Sequence, residues 1–351
     1  VTSATTTPRR ALSSAGGARR RVACLAIGVA LVVASIVASL SFGSRAVDAA
    51  QTVDGISAWL RGETPTDIGA LAVQSRVPRT VLALLAGAAL ALSGALMQAI
   101  TRNPLADPGI LGVNTGAALA VVIGIAFFGI SGALGYLAMA LVGAFAAALF
   151  VYFVGSVGPG GTAPIKLALA GAATTAALSS LVAAILLPRQ AVMEEFRYWQ
   201  VGNVARADWA TMAIIVPVLV VGGLIAFLCA SSLNALALGD DVAVGLGVHV
   251  GRVRVVAALA GVALCAAVTS VAGPTGFVGL MVPHAVRLAS GPDQRWLLPL
   301  SALGGAVLLT AADTIGRVLG SPGEVEAGIV TAFLGAPVLI AIARRTRMKA
   351  L

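Results

Sequence analysis

The chain has 351 residues, of which 59% are hydrophobic and only 11% charged. No soluble globular domain is expected to be so apolar, and repeated uncharged runs approaching ~20 residues describe a helical protein that crosses a membrane many times. The net charge of +9 would suit nucleic acid, but in a membrane protein Lys and Arg gather in cytoplasmic loops, so no nucleic-acid partner is expected. The 41 glycines point to helices packed closely through small residues. Cys24, Cys229 and Cys265 lie in or beside apolar runs without metal-ligand spacing and read as small buried hydrophobes.

Residues 1–21 are rich in Thr, Ser, Ala and Gly and carry Arg9, Arg10, Arg19, Arg20 and Arg21. They read as a mobile cytoplasmic tail, with a twin-arginine export signal as the alternative. The apolar run Val22–Phe42 exceeds the usual signal core of about 7–15 residues and reads as the first span. Residues 43–76, with Asp48, Asp54, Trp59, Glu63 and Asp67, form an external loop with some short helix. A second span follows at about 77–100.

In TRNPLADPGILGVNTG, Pro104 and Pro108 break the helix, and Asn103 is placed to satisfy the freed backbone groups. Asn114 and Thr115 sit inside the apolar segment that resumes. Spans three and four run at about 109–129 and 132–155; the SVGPGGTAP turn leads to Lys166 and a fifth span ending near Leu187. The stretch PRQAVMEEFRYWQVGNVARADW is amphipathic and too polar to cross. Span six covers about 210–230.

Leu233–Arg254, LNALALGDDVAVGLGVHVGRVR, then interrupts the hydrophobicity. Its apolar runs are too short to span. The pattern predicts two short helices at a membrane face, with the Asp240–Asp241 pair after Gly239 as a cap and Gly247 as a stop. An ordinary loop between spans is the alternative. Span seven runs at 253–271, GPTGFVGLMVPHAVRLASG forms a broken eighth segment, and spans nine and ten occupy about 297–316 and 327–343. The basic tail Arg344, Arg345, Arg347 and Lys349 follows. Residues 22–351 therefore form one all-α membrane domain with about ten transmembrane helices and both termini on one side. With the termini in the cytoplasm, the inner segments are strongly basic and the outer ones nearly neutral, as the positive-inside rule requires.

No GxxxxGK[ST] phosphate loop occurs, so ATP hydrolysis is not expected on this chain. His249 and His284 are too few for a catalytic or metal cluster. Neither a catalytic residue, a bound metal nor a cofactor is expected.

Five ordered stretches carry a resemblance: RVPRTVLALLAGAALALSGALMQAITRNPLADPGILGVNTGAAL (76–119), LALGDDVAVGLGV (236–248), AGPTGFVGLMVPHAVRLASGPDQRWLLP (272–299), ADTIGRVL (312–319) and GIVTAFLGAPVLI (328–340). From about residue 20 to the C-terminus the chain resembles the FecCD-type permeases of iron-siderophore, haem and vitamin B12 ABC importers. The resemblance implies the type II importer fold in a bacterial cytoplasmic (inner) membrane. It also implies a second permease subunit, two cytoplasmic ATPase subunits that bind ATP and Mg, and an extracytoplasmic substrate-binding protein.

Carried over residue by residue, 233–250 match the paired coupling helices that seat in the ATPase. Leu238, Gly239, Asp240, Asp241, Gly245, Gly247 and Val248 fall in the matching motif. Arg76 and Arg79 match an R-x-P-R motif at the outer face, and Arg317 an arginine after the ninth span; with Glu324 they are the candidates for docking the binding protein. Arginines snorkelling at helix ends are the alternative. Where relatives read Glu-Leu-Pro-x-Gly, this chain has Glu324-Val-Glu326-Ala-Gly328 and lacks the proline.

Gln98, Asn103, Pro104, Asn114, Thr115, Gly273 and Pro274 are the candidates for the translocation pathway, because polar groups facing lipid are costly. For Gln98, Asn114 and Thr115, hydrogen bonding between packed helices is an equal alternative. The rival function is an ion-gradient-driven secondary transporter of a small metabolite. Such a protein buries ionisable residues at mid-membrane. Only Asp313 qualifies, and Arg317 stands at i,i+4 from it.

Overall fold

The computed structural model describes residues 12–104, 106–156, 164–200, 204–205, 207 and 208–347. Arg9, Arg10, Arg206 and Lys349, and residues 157–163 of the Gly/Pro turn, lie outside them. No strand occurs among the described residues. The helices in order are α1 (Leu12–Ser41), α2 (Ala49–Arg61), α3 (Ile68–Thr101), α4 (Val113–Phe128), α5 (Ala133–Ser156), α6 (Pro164–Leu186), α7 (Gln190–Gln200), α8 (Trp209–Leu236), α9 (Asp240–Gly245), α10 (Val250–Ala272), α11 (Val278–Ser290), α12 (Gln294–Leu319) and α13 (Ala327–Arg347). Seven are long and apolar enough to cross a membrane, and α4 and α13 contribute shorter apolar helices. With the broken α11, these are the ten segments read from hydropathy.

Apart from α3, which already begins at Ile68 inside the stretch expected as an external loop, two boundaries differ from the sequence reading. Residues 12–21, expected in a tail, form the first turns of α1. Arg20 Nη2 donates to Leu288 O at 2.7 Å, and Arg21 pairs with Asp293 at 3.4 Å. The basic cluster is therefore held on the α11–α12 turn, where cations favour the carbonyl-rich end of α11. The second difference concerns the predicted pair of short helices. Residues 233–236 still belong to α8 and Val250 already opens α10, so α9 is the single short helix between them.

Helix α3 is the buried axis, packed on α12, α10, α2, α11 and α8. Its sequence dictates this: Ala, Gly and Ser recur on every face, so neighbours approach to backbone contact. Gly87 meets Gly305 of α12 so closely that a Cβ on either would collide with the other's carbonyl oxygen, and a Cβ on Gly94 would collide with the carbonyl of Gly279 of α11. Beyond α10 lies a second group in which α4 packs on α5 and α6.

Ends are set by ordinary capping. Asp48 and Gln51 form a capping box on α2, Asp67 caps α3, and Asp208 caps α8. The hydroxyl and N–H of Thr211 donate to Asp208 and hold its carboxyl below the usual range. Trp59 of α2 stacks on Trp209 at the start of α8, with centroids 6.0 Å apart. The amphipathic segment after span five is α7, anchored by buried Phe196 and by Trp199, whose indole donates to Ser270 O at 3.1 Å.

Candidate functional site

Polar side chains collect at the two ends of α3. At its C-terminal end lies α9. Gly239, at φ +118, turns the chain out of α8, and α9 begins directly with Asp240 and Asp241 in its first turn. The expected side-chain cap is absent: Gly239 holds the N-cap position, and the two acids instead favour the helix N-terminus by charge. The other end matches expectation. Gly247 sits at φ +81, its N–H reaches Val244 O at 2.9 Å, and Val248 N–H reaches Ala243 O at 2.9 Å.

Ala243 is fully buried beneath α9, whereas Leu238, Val242, Val244 and Leu246 are exposed. The exposed side chains here are thus apolar apart from Asp241, and Gly245 leaves one side of the turn bare. Asp240 Oδ1 accepts from Arg102 Nη2 and, at 3.0 Å, from Arg254 Nη2. Asp241 is exposed and has no ion pair among the described residues. Arg254 lay in the stretch already singled out in the sequence; Arg102 carried no signal there beyond being, with Asp107, one of two charges between two spans.

At the N-terminal end of α3 the three expected docking arginines are not free arms. Arg76, Arg79 and Arg317 are 7%, 8% and 2% exposed. Arg79 donates to both carboxylate oxygens of Asp313 and, at 2.7 Å, to Glu324. Arg317 faces Asp313 at 3.2 Å, as the i,i+4 spacing predicts, and donates to the carbonyl and hydroxyl of Ser39. Arg76 donates to the carbonyls of Leu40, Ser41 and Arg45, closing the end of α1. The picture of surface arginines, and that of snorkelling ones, both give way to an internal network joining α1, α3, α12 and the α12–α13 turn. Glu324 is its most exposed acid. Val325 N–H bonds Gly316 O at 3.1 Å and closes this turn; the missing proline falls at the next position, Glu326.

The pathway candidates divide. Gln98 is 3% exposed, donates to the carbonyls of Gly279 and Leu280, and accepts from Arg287 Nη2 at 2.9 Å. Asn114 accepts from Thr269 Oγ1 at 3.2 Å and from Cys265. Both side chains join packed helices through these bonds. Thr115 is half-buried beside Asn114, Pro104 is exposed, and Asn103 lies among Met97, Thr101 and Asp107. Gly273 is buried at φ +70, where α10 ends and the broken segment begins. Pro274 alone of the seven lines the open apolar groove of about 680 Å³ formed with Gly328, Ile329, Ala332, Phe333, Ala336 and Pro337 of α13. Sequence reasoning missed the α13 wall, which has no polar residue to mark it.

A family model described as the FecCD transport family matches residues 31–345. The ferric enterobactin transport system permease protein FepD of Escherichia coli (strain K12) is 41% identical over 334 residues, covering 95% of this chain and 98% of that one. The hemin transport system permease protein HmuU of Yersinia pestis is 38% identical, covering 78% and 82%. The cobalamin import system permease protein BtuC of Halobacterium salinarum is 40% identical, covering 79% and 74%. Among solved structures, an inward-facing metal-chelate type ABC transporter superposes with a TM-score of 0.77 at 27% identity, covering 92% of this chain and 99% of that one.

Proposed function

The chain belongs to the FecCD transport family, and from that premise we propose that it is the permease subunit of an ABC importer whose cargo is a ferric siderophore. The observation that carries the cargo class is the end-to-end similarity to the ferric enterobactin permease, over 95% of this chain and 98% of that one. Membership implies an ATPase partner and a binding protein. We assign the ATPase contact to the exposed surface of α9, from Leu238 through Asp241 to Gly245, Gly247 and Val248. ATP and Mg belong to that partner.

The binding protein docks at the far end, over the α12–α13 turn where Glu324 reaches the surface. The arginines beneath keep that surface in shape. Pro274 and α13 supply one wall of a passage, and a second permease subunit, identical or paralogous, supplies the other. An apolar wall suits a large cargo that must pass without being held, since tight binding in the passage would slow release. In this arrangement both termini are cytoplasmic, in the inner membrane.

An ion-driven mechanism needs a buried acid free to exchange a proton or cation. Asp313 is instead engaged by two arginines, which disfavours that role. The decisive experiment reconstitutes the chain with its ATPase and binding protein in vesicles and follows uptake of iron-55 siderophore. Uptake should require ATP and survive collapse of the proton gradient. Uptake that persists without ATP and stops with the gradient would establish the secondary transporter instead.

A further inference from the structure

We propose that Asp240 is a positioning residue that fastens α9 to α3 and α10, so that displacement of α9 reaches the bundle through side chains; this rests on the reading of α9 as the element the ATPase meets. The two adjacent acids are not equivalent. Asp240 is half-buried and shared between Arg102, at the C-cap of α3, and Arg254 of α10, whereas Asp241 points out unpaired among the described residues.

The backbone alone is a poor transmitter here. Helix α9 has six residues, too few to be stable by its own hydrogen bonds. It is joined to α8 through Gly239 and to α10 through Gly247, and a Cβ on either would meet open space. Both joints are thus closed by short-range backbone hydrogen bonds, Gly239 N–H to Leu236 O and Gly247 N–H to Val244 O, with nothing packed where a side chain would stand. Among the described residues, the charged ties of α9 to α3 and α10 all run through one carboxylate.

Arg102 supports the same conclusion. It sits at φ +50, closing α3 in the left-handed conformation usually left to Gly or Asn. A long cationic side chain at that position reaches α9 where a glycine would reach nothing. From Arg102 back to Arg79, α3 is a continuous helix of about 35 Å at 1.5 Å per residue. One rod therefore ends in Asp240 on one side and in the Arg79–Asp313–Glu324 network on the other.

The test compares wild type, Asp240→Asn, Arg102→Gly, the double variant and Asp241→Asn in the complete complex with ATPase and binding protein. Arg102→Gly keeps the left-handed backbone without strain, so it isolates the loss of the side chain. Two quantities are read: ATPase retained on purification, and iron-55 siderophore imported per ATP hydrolysed. We expect Asp240→Asn and Arg102→Gly to retain the ATPase while import per ATP falls about threefold, the scale of losing partly exposed ion pairs. The double variant should be no worse than Asp240→Asn, and Asp241→Asn should instead lose ATPase. An unchanged import ratio in both single variants, or loss of ATPase from Asp240→Asn equal to that from Asp241→Asn, overturns the inference. If wild type imports nothing in response to ATP, the transport reading itself fails and takes this inference with it.

Discussion

Arg79 and Asp313, 234 residues apart, are locked in a forked ion pair: Nε lies 3.0 Å from each carboxylate oxygen and Nη2 lies 2.7 Å from Oδ1. Asp313 is 1% exposed. Its charge also faces Arg317, so it neutralises two largely buried guanidinium groups.

Removing that acid should therefore do more harm than removing a surface charge. Asp313→Ala leaves Arg79 and Arg317 short of a partner and should cost about 3–5 kcal/mol of stability. Thermal unfolding in detergent measures it. A midpoint equal to that of wild type would show that the network carries no stability.

Glu324 belongs to the same network but keeps 34% of its side chain exposed. Glu324→Gln should change stability by only about 0–1 kcal/mol. If the binding protein docks over this turn, the same variant slows complex formation most at low ionic strength, where screening is weakest. Stopped-flow mixing of the two proteins reads this.

At Gly87 the constraint is backbone contact with Gly305. Gly87→Leu must push α12 away from α3 and should destabilise by about 1–3 kcal/mol or more, as overpacking does. Exposed Gly251, around which a Cβ meets nothing within 4 Å, is the control position: Gly251→Ala should be neutral or slightly stabilising.

Gln98→Leu separates a pathway residue from a packing residue. It strips the carbonyls of Gly279 and Leu280 of a donor and leaves Arg287 without its acceptor, at about 1–3 kcal/mol for a buried polar group left unmade. Stability should fall while the range of siderophores imported stays the same. A changed cargo range with unchanged stability would return Gln98 to the passage.

What the sequence shows of this molecule is the local part. Ten apolar segments, the breaks at Pro104 and Gly273, the amphipathic α7 and the stop at Gly247 all follow from short-range rules, and each is present, although α1 and α3 start about ten residues earlier than the pattern predicts. The arginine network was only half legible. Asp313 and Arg317 are one helical turn apart and pair as expected, but Arg79 finds Asp313 only because α3 lies against α12 through Gly87 and Gly305. The sequence reading placed these arginines at the outer face because they match the motif of the permeases the chain resembles. The same limit hid Arg102 from Asp240 and Arg287 from Gln98. The predicted second short helix beside α9 failed for a different reason: helix propensity runs unbroken through Leu233–Leu236, so α8 continues until Ala237.

Helix α8 runs from the stacked Trp209 to Leu236, 28 residues, or about 42 Å at 1.5 Å per residue. That matches the roughly 40–45 Å of a bilayer with its headgroups, and Trp side chains favour that boundary. Near its far end Asn234 grips both Asp293 and the N–H of Gln294, at 2.8 Å each. The helix is thus long enough to run from one headgroup layer to the other, with an indole pair at one end and the other end hooked to α12. In a thinner bilayer α8 must lean, and leaning pulls on the start of α12, so acyl-chain length becomes a dial on how this transporter is set.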